Sequence, residues 1–222
     1  LVMIDQYGTD AFRFTLAAYT AQGRDVRMSA ERIEGYKFFV NKIWNASKLT
    51  FANLEDYDES KTAAVEDSLS DKWIKARLNH AVEEVTRSLD KYQFNEAAAA
   101  IYHFIWHEFC DWYLELSKPA FYGKVRPEQR LATQRTLYDV FGKLLLLLHP
   151  FMPFVTEELW QVLNRSEEKS IMISSFPVVE QAWEDEAAEK EMELLMDIIT
   201  SVRNIRGEMQ IPPSRKLDVL IS

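Results

Sequence analysis

Residues 96–118, EAAAAIYHFIWHEFCDWYLELSK, limit the possible folds more than any other stretch. Read as a helix, the segment carries Tyr102, Phe104, Ile105, Trp106, Phe109, Trp112, Tyr113, Leu114 and Leu116, so it is apolar around most of its circumference. A helix like that buries itself on several sides at once and belongs in the middle of a bundle. Asn95 is placed to cap its start and Pro119 to end it. The chain must therefore supply helices to surround it.

Four further segments have the required periodicity. Residues 29–53 contain no proline and one glycine, and Ser29 is a suitable N-cap. Ile33, Tyr36, Val40, Ile43, Ser47 and Phe51 recur at steps of three and four and form a burial stripe. Glu34, Lys37, Asn41, Asn45 and Lys48 recur at the same steps on another face. Residues 70–92 have an inner stripe of Trp73, Ala76, Leu78, Ala81, Val85 and Leu89. Residues 127–149 start at a proline suited to a first helical turn and run through five consecutive leucines to Pro150. Pro153 opens the last, 154–163, with Thr156, Glu157 and Glu158 complementing the helix dipole. The core is expected to hold Trp73, Trp106, Trp112 and Leu146.

The flanks differ in character. Residues 1–28 are a preamble with a helix from Thr9 or Asp10 to about Thr20, a stop at Gly23 and an extended piece from Asp25. Residues 55–67 hold six acids and one lysine and read as a solvated loop. After Asn164 the pattern predicts a small α/β piece, with strands at 171–174 and 217–221 and a helix over 184–209.

Composition excludes several classes. Apolar residues are 47% and charged residues 27%, the balance of a water-soluble globular protein. No apolar run approaches the length of a membrane span, so no membrane partner is expected. A single cysteine, Cys110, excludes an internal disulfide and fits a reducing, cytoplasmic setting. Leu1 stands where an initiator methionine would, which points to a piece of a longer polypeptide. The net charge of −9 argues against a generally basic nucleic-acid binder, but the cations are clustered. Residues 31–48 hold four against two acids, 117–135 five against one, and 201–216 four against one.

Catalytic patterns are sparse. His103 and His107 have zinc-compatible spacing, but no cysteine or carboxylate set completes a site on their face, so no metal is expected. Cys110 lies among aromatics as an inert thiol. Glu157 and Glu158 are adjacent, hence about 100° apart, and do not form an acid pair. There is no phosphate loop and no nucleophile triad, so no catalytic residue is assigned. Single-stranded RNA is read by stacking and by hydrogen bonds to splayed bases, with cations on the backbone. Lys37, Asn41, Lys42, Trp44, Asn45 and Lys48 are the candidate RNA-binding residues. The lysines suit phosphates and the amides suit base edges, and Trp44 is assigned to the core in preference to stacking.

Six motifs carry a family resemblance. YGTDAFRFTLA (7–17), FFVNKIWNASKL (38–49), DKWIKARLN (71–79), FIWHEFCDWYLELSKP (104–119), LLHPFMPFVTEELW (147–160) and RNIRGEMQIPP (203–213) occur in order. Together they resemble the C-terminal half of class I aminoacyl-tRNA synthetases. CDWYLELSKP and RNIRGEMQIPP bring the chain closer to the valyl than to the isoleucyl or leucyl branch. The resemblance implies a mainly α protein. Residues 1–28 would end the stem-contact segment, 29–165 would form the anticodon-binding helical bundle, and 166–222 a small helix-plus-hairpin subdomain. It implies a monomer whose partner is the tRNA for valine. ATP and valine would bind to catalytic parts that this chain does not contain, so no cofactor is expected here. A helical adaptor that binds protein and an enzyme with a bundle-core metal site remain as alternatives.

Overall fold

Phe14 lies fully buried where three parts of the chain meet. Its ring is 4.8 Å from Tyr36, 5.4 Å from Phe39 and 5.9 Å from Phe151. The computed structural model describes residues 2–20, 28–61, 65–164, 169–212, 214–216 and 218–219. Nine α-helices occur among them. They are α1 (Val2–Tyr7), α2 (Thr9–Tyr19), α3 (Ala30–Asn53), α4 (Leu69–Asp90), α5 (Phe94–His103), α6 (Leu114–Phe121), α7 (Pro127–Leu148), α8 (Pro153–Leu163) and α9 (Glu186–Glu208). The turn expected at Gly23 and the extended piece from Asp25 fall mostly outside the described residues.

A π-helical segment, Phe104–Tyr113, joins α5 to α6 into one continuous rod. Its wider turn is visible at the end, where the Leu114 N–H reaches back five residues to the Phe109 carbonyl. Phe104, Ile105, Glu108, Phe109 and Tyr113 are its buried side chains. Trp106 and Trp112 lie on the flank of that face and are only half-buried, contrary to the core assignment. Leu146 is also half-buried, because α7 turns Leu144, Leu145, Leu147 and Leu148 inward instead. Trp73 is in the core as expected. Pro119 does not end the rod. It lies inside α6, whose Ser117 and Ala120 are buried, and it deprives only the Glu115 carbonyl of a helical donor.

α4 and α7 bury the most side chains, and a polar knot fixes the start of α4. Ser68 and Asp71 form a reciprocal capping box. The fully buried Asp71 carboxylate also accepts from Tyr113 Oη at 2.8 Å and Thr133 Oγ1 at 3.3 Å. This ties α4 to the π-helical segment and to α7. Burial raises the Asp71 pKa, against the opposing pull of the Ser68 and Tyr113 hydrogen bonds.

The tail contains no strand among the described residues. Ile171–Ile173 is a 3₁₀ turn capped by Ser170, with Ile171 buried and Met172 and Ile173 exposed. The second expected strand lies largely outside the described residues. α9 docks on α4 through Ala188 and Met192. Asn79 holds the approach to it by pairing with both the carbonyl (2.7 Å) and the N–H (3.1 Å) of Glu180.

The start of α8 is capped from afar. Asp10 on α2 is buried and accepts the Val155 N–H at 2.7 Å and the Phe154 N–H at 3.3 Å. Glu157, expected in this role, instead accepts from Ser170 Oγ at 2.7 Å and Gln161 Nε2 at 2.6 Å. Asp10→Ala should therefore destabilise the whole bundle by about 1–2 kcal/mol in urea unfolding, although it lies near the chain start.

Asp139 on α7 supplies a second test. Burial pushes its carboxyl up from 3.8 to about 6, despite the opposing influence of Lys75, Arg135 and Lys143. A carboxyl raised in the folded state contributes stability below the unfolded pKa, and that stability is lost as pH rises through the folded value. The advantage of Asp139→Asn over wild type should grow by on the order of 2–3 kcal/mol between pH 4 and pH 7 in denaturant titrations.

Candidate nucleic-acid interface

α3 starts where Ser29 accepts the Arg32 N–H at 3.4 Å. Ile33, Phe39, Ile43, Ala46, Ser47 and Thr50 turn inward and are buried. The opposite face, Glu34, Lys37, Phe38, Asn41, Trp44, Asn45 and Lys48, is exposed. The predicted polar stripe therefore exists as one solvent-facing surface, with two aromatic rings added to it.

Those rings change the character of the face. Trp44 is 40% exposed and Phe38 57%. Trp44 is not a core residue as assigned, because Ile43 and Ser47 occupy the inward positions beside it and Ser47 Oγ donates to the Trp44 carbonyl at 2.8 Å. Phe38 was missed, although its spacing from Asn41 and Asn45 places it on the stripe. Successive helical residues differ by 100°, so Phe38 and Trp44 fall about 60° to either side of Asn41. Two amides sit between two exposed rings.

The three lysines do not share one role. Lys42 is spent within the fold: its Nζ pairs with Asp111 at 2.5 Å and lies 3.9 Å from the centroid of Trp106. It is partly buried and fastens α3 to the π-helical segment, so its charge is engaged within the fold. Lys37 donates to the Gln6 carbonyl at 3.2 Å and keeps one side toward solvent. Lys48, Asn41 and Asn45 make no side-chain hydrogen bond or ion pair among the described residues.

The other basic segments are largely spent on structure. Arg130 makes a bidentate pair with Asp56, both contacts at 2.8 Å, and Arg135 holds Asp67 at 2.6 Å. Arg203 lies over Trp112 at 5.3 Å, and Arg206 donates to the Pro212 carbonyl at 2.7 Å. Elsewhere, His103 and His107 lean on Glu108 (3.7 Å) and Asp111 (3.5 Å). Glu108 is in turn held by Arg77 at 2.7 Å. Burial pushes the Cys110 thiol up to about 12, which leaves it protonated and a poor nucleophile.

The bundle thus presents an exposed face of unengaged amides and aromatic rings. The family described as the anticodon-binding domain of tRNA ligase matches residues 71–221, and the chain belongs to that family. Among individual relatives, it is 50% identical over 225 residues to the valine–tRNA ligase of Syntrophotalea carbinolica. It is 51% identical over 228 residues to that of Geobacter sulfurreducens and 48% over 221 to that of Thermotoga maritima. Each match takes in all of this chain and 25% of the relative, so the chain spans about a quarter of the length of these curated proteins. The fold is also that of part of the agnB2 LeuRS of Agrobacterium radiobacter K84, solved as a ternary complex with tRNA and LeuAMS. That match has a TM-score of 0.59 at 20% identity, over 82% of this chain and 21% of that one.

The division of labour among the lysines is testable without RNA. Lys42→Ala should lower unfolding free energy by about 1 kcal/mol, from the lost ion pair and cation–π contact. Lys48→Ala should stay within about 0.5 kcal/mol of wild type, as for an unpartnered surface side chain.

Proposed function

We propose that this chain is the anticodon-reading module of a valine–tRNA ligase and that its partner is the tRNA for valine. The observation that carries the reading is the pair Asn41 and Asn45, whose amides are unengaged and flanked by exposed Phe38 and Trp44. A primary amide donates and accepts at once, as reading a base edge requires. Aromatic faces hold bases that have left their stack. Lys48, with the free side of Lys37, neutralises the phosphates between them.

In the parent enzyme the bases bound here select the tRNA, while valine is activated with ATP and passed to the terminal ribose elsewhere. The chemistry of this chain fits that division, since it offers recognition groups and its cysteine is held protonated. Residues 1–28 would continue a stem-contact segment and 166–222 would brace the bundle. The parent acts as a cytoplasmic monomer, and this module holds neither ATP nor metal. Among the described residues, no helix is long and apolar enough to cross a membrane.

The test is a binding titration with valine tRNA beside an anticodon-swapped tRNA. Asn41→Ala should reduce discrimination between the two by about 1–3 kcal/mol, as for a bidentate base contact. Lys48→Ala should weaken both about equally and flatten the salt slope. A combined Asn41, Asn45 and Lys48 alanine variant that folds and still discriminates would refute the assignment of this face.

A further inference from the structure

The turn between α6 and α7 carries two cations that the fold leaves unspent. Three of the five cations in 117–135 are tied to acids: Lys118 to Glu115, Arg130 to Asp56 and Arg135 to Asp67. Lys124 and Arg126 are exposed and have no ion pair among the described residues. Beside them Tyr122 is 66% exposed. Gly123, at φ 68°, turns the chain back after α6, a conformation other residues adopt at a cost.

This turn lies at a defined end of the proposed RNA face. α3 runs alongside the α5–α6 rod in the same direction. Tyr36 meets Tyr102, Phe39 meets Trp106 and Lys42 meets Asp111 as the two advance. Lys48 is six residues beyond Lys42, about 9 Å further toward the end where α6 stops. At that end Arg130, one turn past Arg126, grips Asp56 just after α3, and Gln134 donates to the Asn53 carbonyl at 2.7 Å. The turn is thus anchored beside the C-terminal end of α3. The neighbouring acids Glu115 and Asp56 are both neutralised by partners, which leaves Glu128 next to Arg126 and Glu55 beside Asp56 as exposed acids without an ion pair among the described residues.

We infer that the Tyr122–Lys124–Arg126 turn is a second RNA contact, which receives the strand leaving the α3 face toward its C-terminal end. Tyr122 supplies a stacking surface, while Lys124 and Arg126 supply phosphate contacts without sequence information. The inference rests on the proposed anticodon reading at α3. It adds a sequence-independent grip to a face whose own unengaged cations are few.

The experiment titrates the 222-residue chain with an in vitro transcript of valine tRNA and with an anticodon-swapped transcript over a range of salt. The Lys124→Ala/Arg126→Ala double variant should weaken both transcripts by the same factor, about tenfold, and lower the salt slope by about two. Tyr122→Ala should weaken both about fivefold or more, and Tyr122→Phe should bind as wild type. These exposed, unpartnered side chains should leave the melting temperature unchanged, and Lys124→Gln/Arg126→Gln provides a milder variant if it does not. Unchanged affinity and slope in the turn variants, while the Asn41/Asn45 alanine variant has lost discrimination, would overturn the turn contact alone. A wild-type chain with no salt-dependent tRNA binding would overturn the anticodon reading and the turn contact together.

Discussion

A rod that is apolar on nearly every side has to be enclosed, and the continuous helix from Phe94 to Phe121 sets the positions of everything around it. α2, α3, α4 and α7 take its sides, and their aromatic and leucine stripes have no other place to go. The π-helical turn inside the rod decides which side chains face which neighbour. It brings Phe109 to 6.0 Å from Phe141 and leaves Tyr113 pointing its hydroxyl at Asp71. A buried carboxylate is costly unless its lone pairs are satisfied, so the Ser68, Tyr113 and Thr133 donors make the register of α4 against the rod and α7 specific.

This enclosure determines which groups remain for recognition. Cations close to the rod are drawn into holding it: Lys42 binds α3 to Asp111, Arg77 binds α4 to Glu108 and Glu189, and Arg130 binds α7 to Asp56. A charge engaged in this way is of little use to a ligand, because the ligand would have to outbid a partner already in place. The outer face of α3 lies opposite the rod, so Asn41, Asn45 and Lys48 escape that fate.

Much of the fold was legible in the sequence. The helices over 29–53, 70–92, 127–149 and 154–163 followed from strong 3.6-residue periodicity, and their observed bounds differ by at most two residues. The errors share a physical origin. Because 96–118 is apolar around most of its circumference, the pattern did not say which side chains lie innermost, and Trp106 and Trp112 were placed inside although they are half-buried on its flank. The cap of α8 was sought locally in Glu157 and Glu158, but Asp10 supplies it across 145 positions of chain. Strand alternation in Ile171–Ile173 was real as a pattern, yet it pairs with no strand among the described residues. The polar stripe of α3 was read correctly as a face. Phe38 was overlooked because an aromatic is ordinarily assigned to a core, and Trp44 was misassigned for the same reason.

The local balance of charge also explains how a chain of net charge −9 can present itself to RNA. At physiological ionic strength, exposed charges farther apart than about 8 Å are largely screened from one another. Distant acids at the start of α9 therefore weigh little at the α3 face. Two of the nearer acids are answered internally, Asp56 by Arg130 and Asp67 by both Lys75 and Arg135. For Asp56 the Arg130 hydrogen bond holds the carboxyl down at about 2, so it stays ionised and stays bound to its partner. Counting charges along the sequence overstated both sides, the acids because they are paired and the cations because they do the pairing. What remains near the C-terminal end of α3 is Lys48, Lys124 and Arg126 against the exposed Glu55 and Glu128, a slight positive excess and a weak attraction suited to positioning an RNA whose identity the amides then read.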